Sequence, residues 1–382
     1  MCRKLFPLFI FAFVFVTTNA FAQDNDTLKL GFVGALSGER SDYGRDNLYG
    51  AEFAVNDINS KGGVLGKQVE LVTEDDSCAA SQSEDKAQEL LKRGLKFILG
   101  HSCSDSTLSG LEVYGNDVIV ISGSATEARI TENNDHPFFF RTTPHDFSLA
   151  QAMIHFINEK GFTKIAIIHD NLPYGETLAN HLNNILSTNN TTGVRVLLLE
   201  GITAEELTQS ALPSKLKDLA PQALIWCGYS EDAAKLAKNL RDAGLDTAII
   251  GGDGIYDKKL IELGGQSVEG TFVVTHVDPS STLAAQSATD YYKSRHPGVP
   301  TAYYYYSAAS AQALFAAIEK AGSLHDLNDI KDHLHKDTVD TVIGPIHFDD
   351  NGDIVGLAIS VYVVDNGEFK GVPLAQKPPE NQ

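Results

Sequence analysis

The sequence predicts an α/β protein of two doubly wound, parallel-sheet lobes with a cleft between them, and three observations carry that expectation. Strand-like apolar runs alternate with helix-period segments along nearly the whole chain, a pattern that places parallel sheets between layers of helices. The alternation comes in two runs separated by Arg141-Thr142-Thr143-Pro144, and proline breaks both a helix and a central strand. About 360 of the 382 residues remain after a signal-like N-terminus, more than one ordinary core accommodates.

The first run opens with the strand Leu28–Val33. A helix follows with Leu48, Ala51, Val55 and Ile58 at spacings of three and four. Lys61-Gly62-Gly63 stops it, because glycine adopts the left-handed cap cheaply. Strand Val69–Val72, helix Glu84–Arg93, strand Phe97–Leu99, a helix after Ser104 and strand Val118–Ile121 complete the run. The second run begins with a helix carrying Leu149, Met153, Phe156 and Ile157, then strands Ile165–Ile168, Val194–Leu199 and Ala223–Trp226. A helix with Leu236 and Leu240 and strands Ala248–Ile250 and Thr271–Val274 follow. Ligands of such sheets meet the loops at the carboxyl ends of the strands.

The N-terminus sets the expected compartment. Met1-Cys2-Arg3-Lys4 is basic, Leu5 to Val16 is apolar, and Ala20-Phe21-Ala22 gives a small-x-small cleavage pattern. The expectation is a signal peptide over residues 1–22, a mature start at Gln23 and a soluble periplasmic product. Cys2 lies at the wrong end for a lipoprotein. Hydrophobic residues at 43% with charged residues at 21% exclude a disordered chain. A net charge of −20 argues against nucleic-acid backbones and anionic membranes as partners. Three cysteines survive cleavage: Cys78, Cys103 and Cys227. An oxidising compartment allows a disulfide, the odd count leaves one thiol over, and spacing does not choose the pair.

Most chemical motifs are missing. There is no CxxC, GxxxxGK[ST], HExxH or GxSxG, so zinc-ribbon, nucleotide, zinc-protease and serine-hydrolase readings lack support. No enzyme activity, metal or cofactor is expected. Gly31 to Gly38 departs from GxGxxG and reads as tight-turn glycines. Asp349-Asp350-Asn351-Gly352-Asp353 lacks the downstream glutamate of a calcium loop and reads as a hairpin turn. His325, His333 and His335 read as a solvated surface. Two hydroxyl-rich loops directly after strands are more informative: His101 to Thr107 and Ser122 to Glu127. If each begins a helix, free N–H groups and hydroxyls converge there and suit a carboxylate, although Ser and Thr also serve simply as helix caps.

Longer segments then align with a known pattern. They are Gly34-Ala35-Leu36-Ser37-Gly38 with Tyr43-Gly44, Gly50-Ala51, Asn56 to Gly63, Glu74 to Cys78, Gly100 to Ser104, and His169-Asp170 with Tyr174-Gly175. Gly201-Ile202-Thr203-Ala204 and Val339 to Pro345 continue the series. From about Leu28 to about Val364 the chain resembles the periplasmic leucine/isoleucine/valine-binding protein family. The resemblance implies lobes joined by a three-strand hinge, with residues 23–142 and 275–355 in lobe 1 and 143–274 and 356–382 in lobe 2. It implies a monomeric receptor that captures a free amino acid for an ABC permease and ATPase in the inner membrane. The alternative it leaves open is a receptor that presents its ligand to a membrane signalling partner.

Residue by residue, the resemblance sets the ligand carboxylate against Ser104 and Thr126, beside Ala125, and the ammonium against the carbonyl of Ser124 and against Asp253. Tyr43, Ser102, Cys103, Tyr174 and Tyr229 match positions lining the pocket or cleft, and Cys78 pairs with Cys103, leaving Cys227 free. Three departures bear on the ligand. Ser102 replaces a leucine, Ser124 an alanine, and Asp253 a glutamate one methylene longer. An aromatic is expected from Tyr303-Tyr304-Tyr305-Tyr306, yet gap-free matching of the following helix puts Ala308 there. A serine facing an aliphatic side chain leaves its hydroxyl unpaired, at ~1–3 kcal/mol, so small or polar side chains are favoured over leucine.

Overall fold

The structure, a computed structural model, describes residues 27–132, 135–188, 193–207 and 211–373. The expected signal peptide lies outside them. The chain first lays down β1 (Thr27–Gly34), α1 (Ser41–Ser60), β2 (Gln68–Asp75), α2 (Ala80–Lys92), β3 (Phe97–Gly100), α3 (Ser104–Tyr114), β4 (Ile119–Ser122) and β5 (Phe139–Arg141). These five strands are parallel, in the order β2-β1-β3-β4-β5.

The chain then crosses to a second sheet through α4 (Asp146–Glu159), β6 (Lys164–His169), α5 (Pro173–Thr188), β7 (Arg195–Gly201), α6 (Ala204–Leu207), α7 (Leu212–Leu219) and β8 (Ala223–Cys227). It continues with α8 (Ser230–Asp242), β9 (Ala248–Gly251), α9 (Lys258–Gly264) and β10 (Phe272–His276). It returns to the first lobe for α10 (Gln286–Arg295), α11 (Ala302–Ala321), α12 (Leu327–Lys336) and the small pair β11 (Val339–Thr341) and β12 (Gly344–Ile346). Finally β13 (Ile359–Asp365) and β14 (Glu368–Val372) add an antiparallel edge, giving the order β14-β13-β10-β9-β8-β6-β7. The chain thus passes between the lobes three times, over 142–145, 277–285 and 347–358.

Strands buried on both faces explain the near-continuous apolar runs: every residue of β3, β4 and β8 is buried. The period of two divides each strand between two cores. Phe97 and Leu99 of β3 and Ile119 and Ile121 of β4 face the α1 and α11 side. Ile98 and Val120 face α2 and α3. In the second lobe Ile165 and Ile167 lie in one cluster, Ala166 and Ile168 in the other. A close helix crossing sets the first lobe: a Cβ on Gly50 of α1 would stand 2.0 Å from the Tyr304 carbonyl of α11.

Local expectations need revision at three places. Gly31 and Gly34 belong to β1 and are not turn glycines; added Cβ atoms would meet Ile98 Cδ1 at 2.5 Å and Ser102 Oγ at 2.2 Å. Only Gly38 has the positive φ of a turn, +78°. The loop after β4 starts no α-helix but a short 3-10 segment, Ala128–Ile130, and Arg141 donates to the Ala125 and Glu127 carbonyls beside it. His335 is no solvated residue: half-buried, it bonds through Nδ1 to the Asp349 carbonyl at 2.6 Å and packs on Phe140.

Candidate functional site

The expected site residues gather where the strands of both sheets end. Ser102, Cys103 and Ser104 follow β3; Ser124, Ala125 and Thr126 follow β4. Tyr43 lies in the first turn of α1, Tyr174 in the first turn of α5, and Tyr229 just before α8. Asp253 follows β9. All ten are buried except Tyr43, which is half-buried.

The two hydroxyl loops are stitched into one platform. Ser122 Oγ donates to the His101 carbonyl at 2.8 Å and accepts from the Ala125 N–H at 3.0 Å. Ser124 Oγ donates to the Ser102 carbonyl at 2.8 Å. Ser104 Oγ accepts from the Glu127 N–H at 3.2 Å, which leaves its own hydrogen free for an anion. Behind the platform, the buried His101 ring bonds Asp76 at 2.7 Å, Ser83 at 3.1 Å and Tyr114 at 3.2 Å. Cys78 and Cys103 are joined in a disulfide that ties the end of β2 to the start of α3, and Cys227 is a buried free thiol. Burial pushes that thiol well up, so it is a poor nucleophile.

Asp253 faces this platform from the second lobe. It is 3% exposed. Its Oδ1 accepts from Tyr174 Oη at 2.8 Å and its Oδ2 from Tyr303 Oη at 3.1 Å. Burial pushes its carboxyl up to about 6, against the pull of these two hydrogen bonds. Gly252 and Gly254 matter here, because a Cβ on either would meet Tyr174 at 2.7 or 2.8 Å. Tyr43 Oη donates to the Ser124 carbonyl at 3.1 Å, and its ring packs edge-on against Tyr303 at 4.6 Å. Of the four consecutive tyrosines, Tyr303 is therefore the aromatic that reaches the cleft. Tyr304, Tyr305 and Tyr306 bond to Ala288, Thr289 and Val277 instead.

Several charged residues at the site escape sequence reasoning. Asp146, the first residue of α4, is fully buried, and neither carboxylate oxygen has a hydrogen-bond partner. Its N–H donates to the Thr126 carbonyl at 2.8 Å. Burial and then the charge of Asp253 raise its carboxyl well above the usual range. Of these two buried acids, Asp253 is held by two hydroxyl donors, and Asp146 is driven toward its neutral form. Arg141, fully buried, forms an ion pair with Asp353 and donates to the Ala125 and Glu127 carbonyls at 3.1 and 2.9 Å. It is a positioning residue that holds the Thr126 loop. In sequence, an acid in a first helical turn reads as a cap, and Asp353 reads as turn chemistry. Arg40, the last residue before α1, lies over the Tyr229 ring with Cζ 3.9 Å from its centroid. At the rim, Lys259 of α9 donates to the Glu39 carbonyl and approaches Asp42 at 3.7 Å and Glu231 at 3.3 Å, so the lobes meet across the cleft. Among the described residues no group of three or more His, Cys, Asp or Glu is placed to hold a metal ion, and no helix is long and apolar enough to cross a membrane.

The arrangement offers an anion platform on one lobe and the buried Asp253 carboxylate on the other, which suits a small zwitterion. The family model described as periplasmic binding protein matches residues 27–368. The Leu/Ile/Val-binding protein of Escherichia coli K12 is 31% identical over 345 residues, covering 90% of this chain and 91% of that protein. Among solved structures, a leucine-binding protein from Thermotoga maritima superposes with a TM-score of 0.83 at 25% identity, over 91% of this chain and 98% of its own. A solute-binding protein from R. palustris in complex with benzoate shares the fold, with a TM-score of 0.81 at 16% identity over 93% of this chain and 98% of its own. The chain belongs to the periplasmic binding protein family, in its leucine/isoleucine/valine-binding branch.

Proposed function

We propose that this protein captures a free amino acid between its lobes in the periplasm and delivers it to an ABC importer, without chemistry of its own. The observation that carries the reading is the placement of Ser104 and Thr126 on one lobe opposite Asp253 on the other. The α-carboxylate takes the Ser104 and Thr126 hydroxyls. The ammonium takes Asp253 and the Ser124 carbonyl, and so spans the cleft. Charge-assisted hydrogen bonds of this kind are strong when water is excluded. The relatives named for leucine, isoleucine and valine support an amino acid as cargo. In this reading residues 1–22 are a cleaved signal peptide, the lobes are 23–142 with 275–355 and 143–274 with 356–382, and the mature protein acts as a monomer.

A thermal-shift screen of the purified mature protein against the free amino acids tests the reading. A true ligand at a hundred times its dissociation constant adds ~2.7 kcal/mol to native stability. The expected result is a clear rise in melting temperature with at least one amino acid. A panel without any response contradicts it.

A further inference from the structure

Arg40 is a cation at the cleft whose guanidinium has no partner but an aromatic ring. It is half-buried, and its guanidinium makes no hydrogen bond and no ion pair with any described residue; only its carbonyl is engaged, by the Gly44 N–H. The guanidinium carries five N–H donors and cannot shed its proton. Burial works against its charge, yet its pKa is raised, because Tyr229, Asp105, Asp170 and Glu231 outweigh burial. The stack on Tyr229 fixes its position. Tyr229 packs against Tyr174 at 5.3 Å, and Tyr174 bonds Asp253. The succession Asp253, Tyr174, Tyr229, Arg40 thus runs by direct contacts away from the expected ammonium site.

Two of the first lobe's buried groups without partners lie in the loop and helix start after β3. Ser102 Oγ and Asp105 Oδ1 are buried without a hydrogen bond. Ser102 is an expected pocket residue, and Asp105 lies beside Ser104 and acts electrostatically on both Arg40 and Tyr229. An aliphatic side chain would leave a guanidinium, a hydroxyl and a carboxylate oxygen all unpaired. A side chain ending in an oxygen acceptor would take the Arg40 donors. A carboxamide would in addition offer N–H donors to Asp105 and Ser102.

We propose that Arg40 is a specificity-determining residue that turns this site toward amino acids whose side chain ends in a carboxamide or carboxylate, and away from leucine. The inference rests on the amino-acid reading above. Sites built around buried polar groups discriminate strongly against ligands that leave those groups unpaired.

Titration calorimetry with L-glutamine, L-asparagine, L-glutamate, L-aspartate, L-leucine and L-alanine tests it, on the wild type, Arg40→Leu and Arg40→Gln. The wild type should bind one of the four polar ligands at least about tenfold more tightly than leucine. Arg40→Leu should lose at least about tenfold for that ligand while changing leucine by less than about threefold. Arg40→Gln keeps a polar stem, so it guards against a simple folding defect. Tighter binding of leucine than of all four polar ligands by the wild type overturns the inference and leaves the amino-acid reading intact. So does an equal loss for every ligand in both variants, which would make Arg40 a fastening between the lobes. Absence of binding by any amino acid overturns the functional reading, and the inference with it.

Discussion

Asp253→Asn should leave the unliganded protein folded and weaken ligand binding by ~2–4 kcal/mol, the usual cost of breaking a desolvated charge pair. The carboxylate is buried and held by Tyr174 and Tyr303, so the isosteric amide keeps the shape but loses the charge that the ammonium needs. If Asp253 were only a turn residue between Gly252 and Gly254, asparagine would serve as well and binding would change by less than about half a kcal/mol. Calorimetry at pH 7.5 on both proteins separates these outcomes. The pH dependence follows from the same group. Its folded-state pKa is raised to about 6 by burial, so its contribution to folding is present at low pH and is lost as pH rises through about 6. Affinity runs the other way, because the ammonium needs the ionised form. Acidification from pH 7.5 to 5 should therefore weaken binding while this group stabilises the unliganded fold.

The second large effect is expected at the hinge. Arg141→Met removes one half of a buried ion pair and strands Asp353, at ~3–5 kcal/mol of folding stability. Asp353 also accepts from Thr131 at 3.0 Å, and Arg141 holds two carbonyls of the loop that carries Thr126. The variant should then lose affinity as well as stability. Adding Asp353→Leu should recover part of the stability, since a buried pair replaced by apolar groups costs far less than a pair broken on one side. Urea denaturation of the single and double variants measures both terms. A loss below about 1 kcal/mol for Arg141→Met would show that the pair is solvated and not structural.

Much of the fold can be read from the sequence, because its signals are local. The β3 and β4 runs and the α1 stripe ending at Gly62 and Gly63 need only periodicity and glycine chemistry, and the structure has them in those places. Helix α11 escapes the same reading: nearly every residue from Ala302 to Ile318 is buried, so no polar face marks a 3.6-residue stripe. Four adjacent tyrosines step about 100° around that helix, and only its packing decides that Tyr303 faces Asp253. The platform of Ser104 and Thr126 is legible as hydroxyl-rich loops after strands. Arg40, Arg141, Asp146 and Asp353 are not, because charge in sequence reads as surface, and burial of these groups depends on contacts between distant segments.

The zwitterion bridge is tested most directly by matched analogues of whichever amino acid stabilises the protein. The compound itself, its des-amino acid and its α-carboxamide are compared by titration calorimetry on the mature wild-type protein. The account predicts that the parent binds and that each analogue loses at least about 2 kcal/mol, one by leaving Asp253 without a cation, the other by leaving the Ser104 and Thr126 platform without an anion. Binding of the des-amino acid as tight as that of the parent would contradict it.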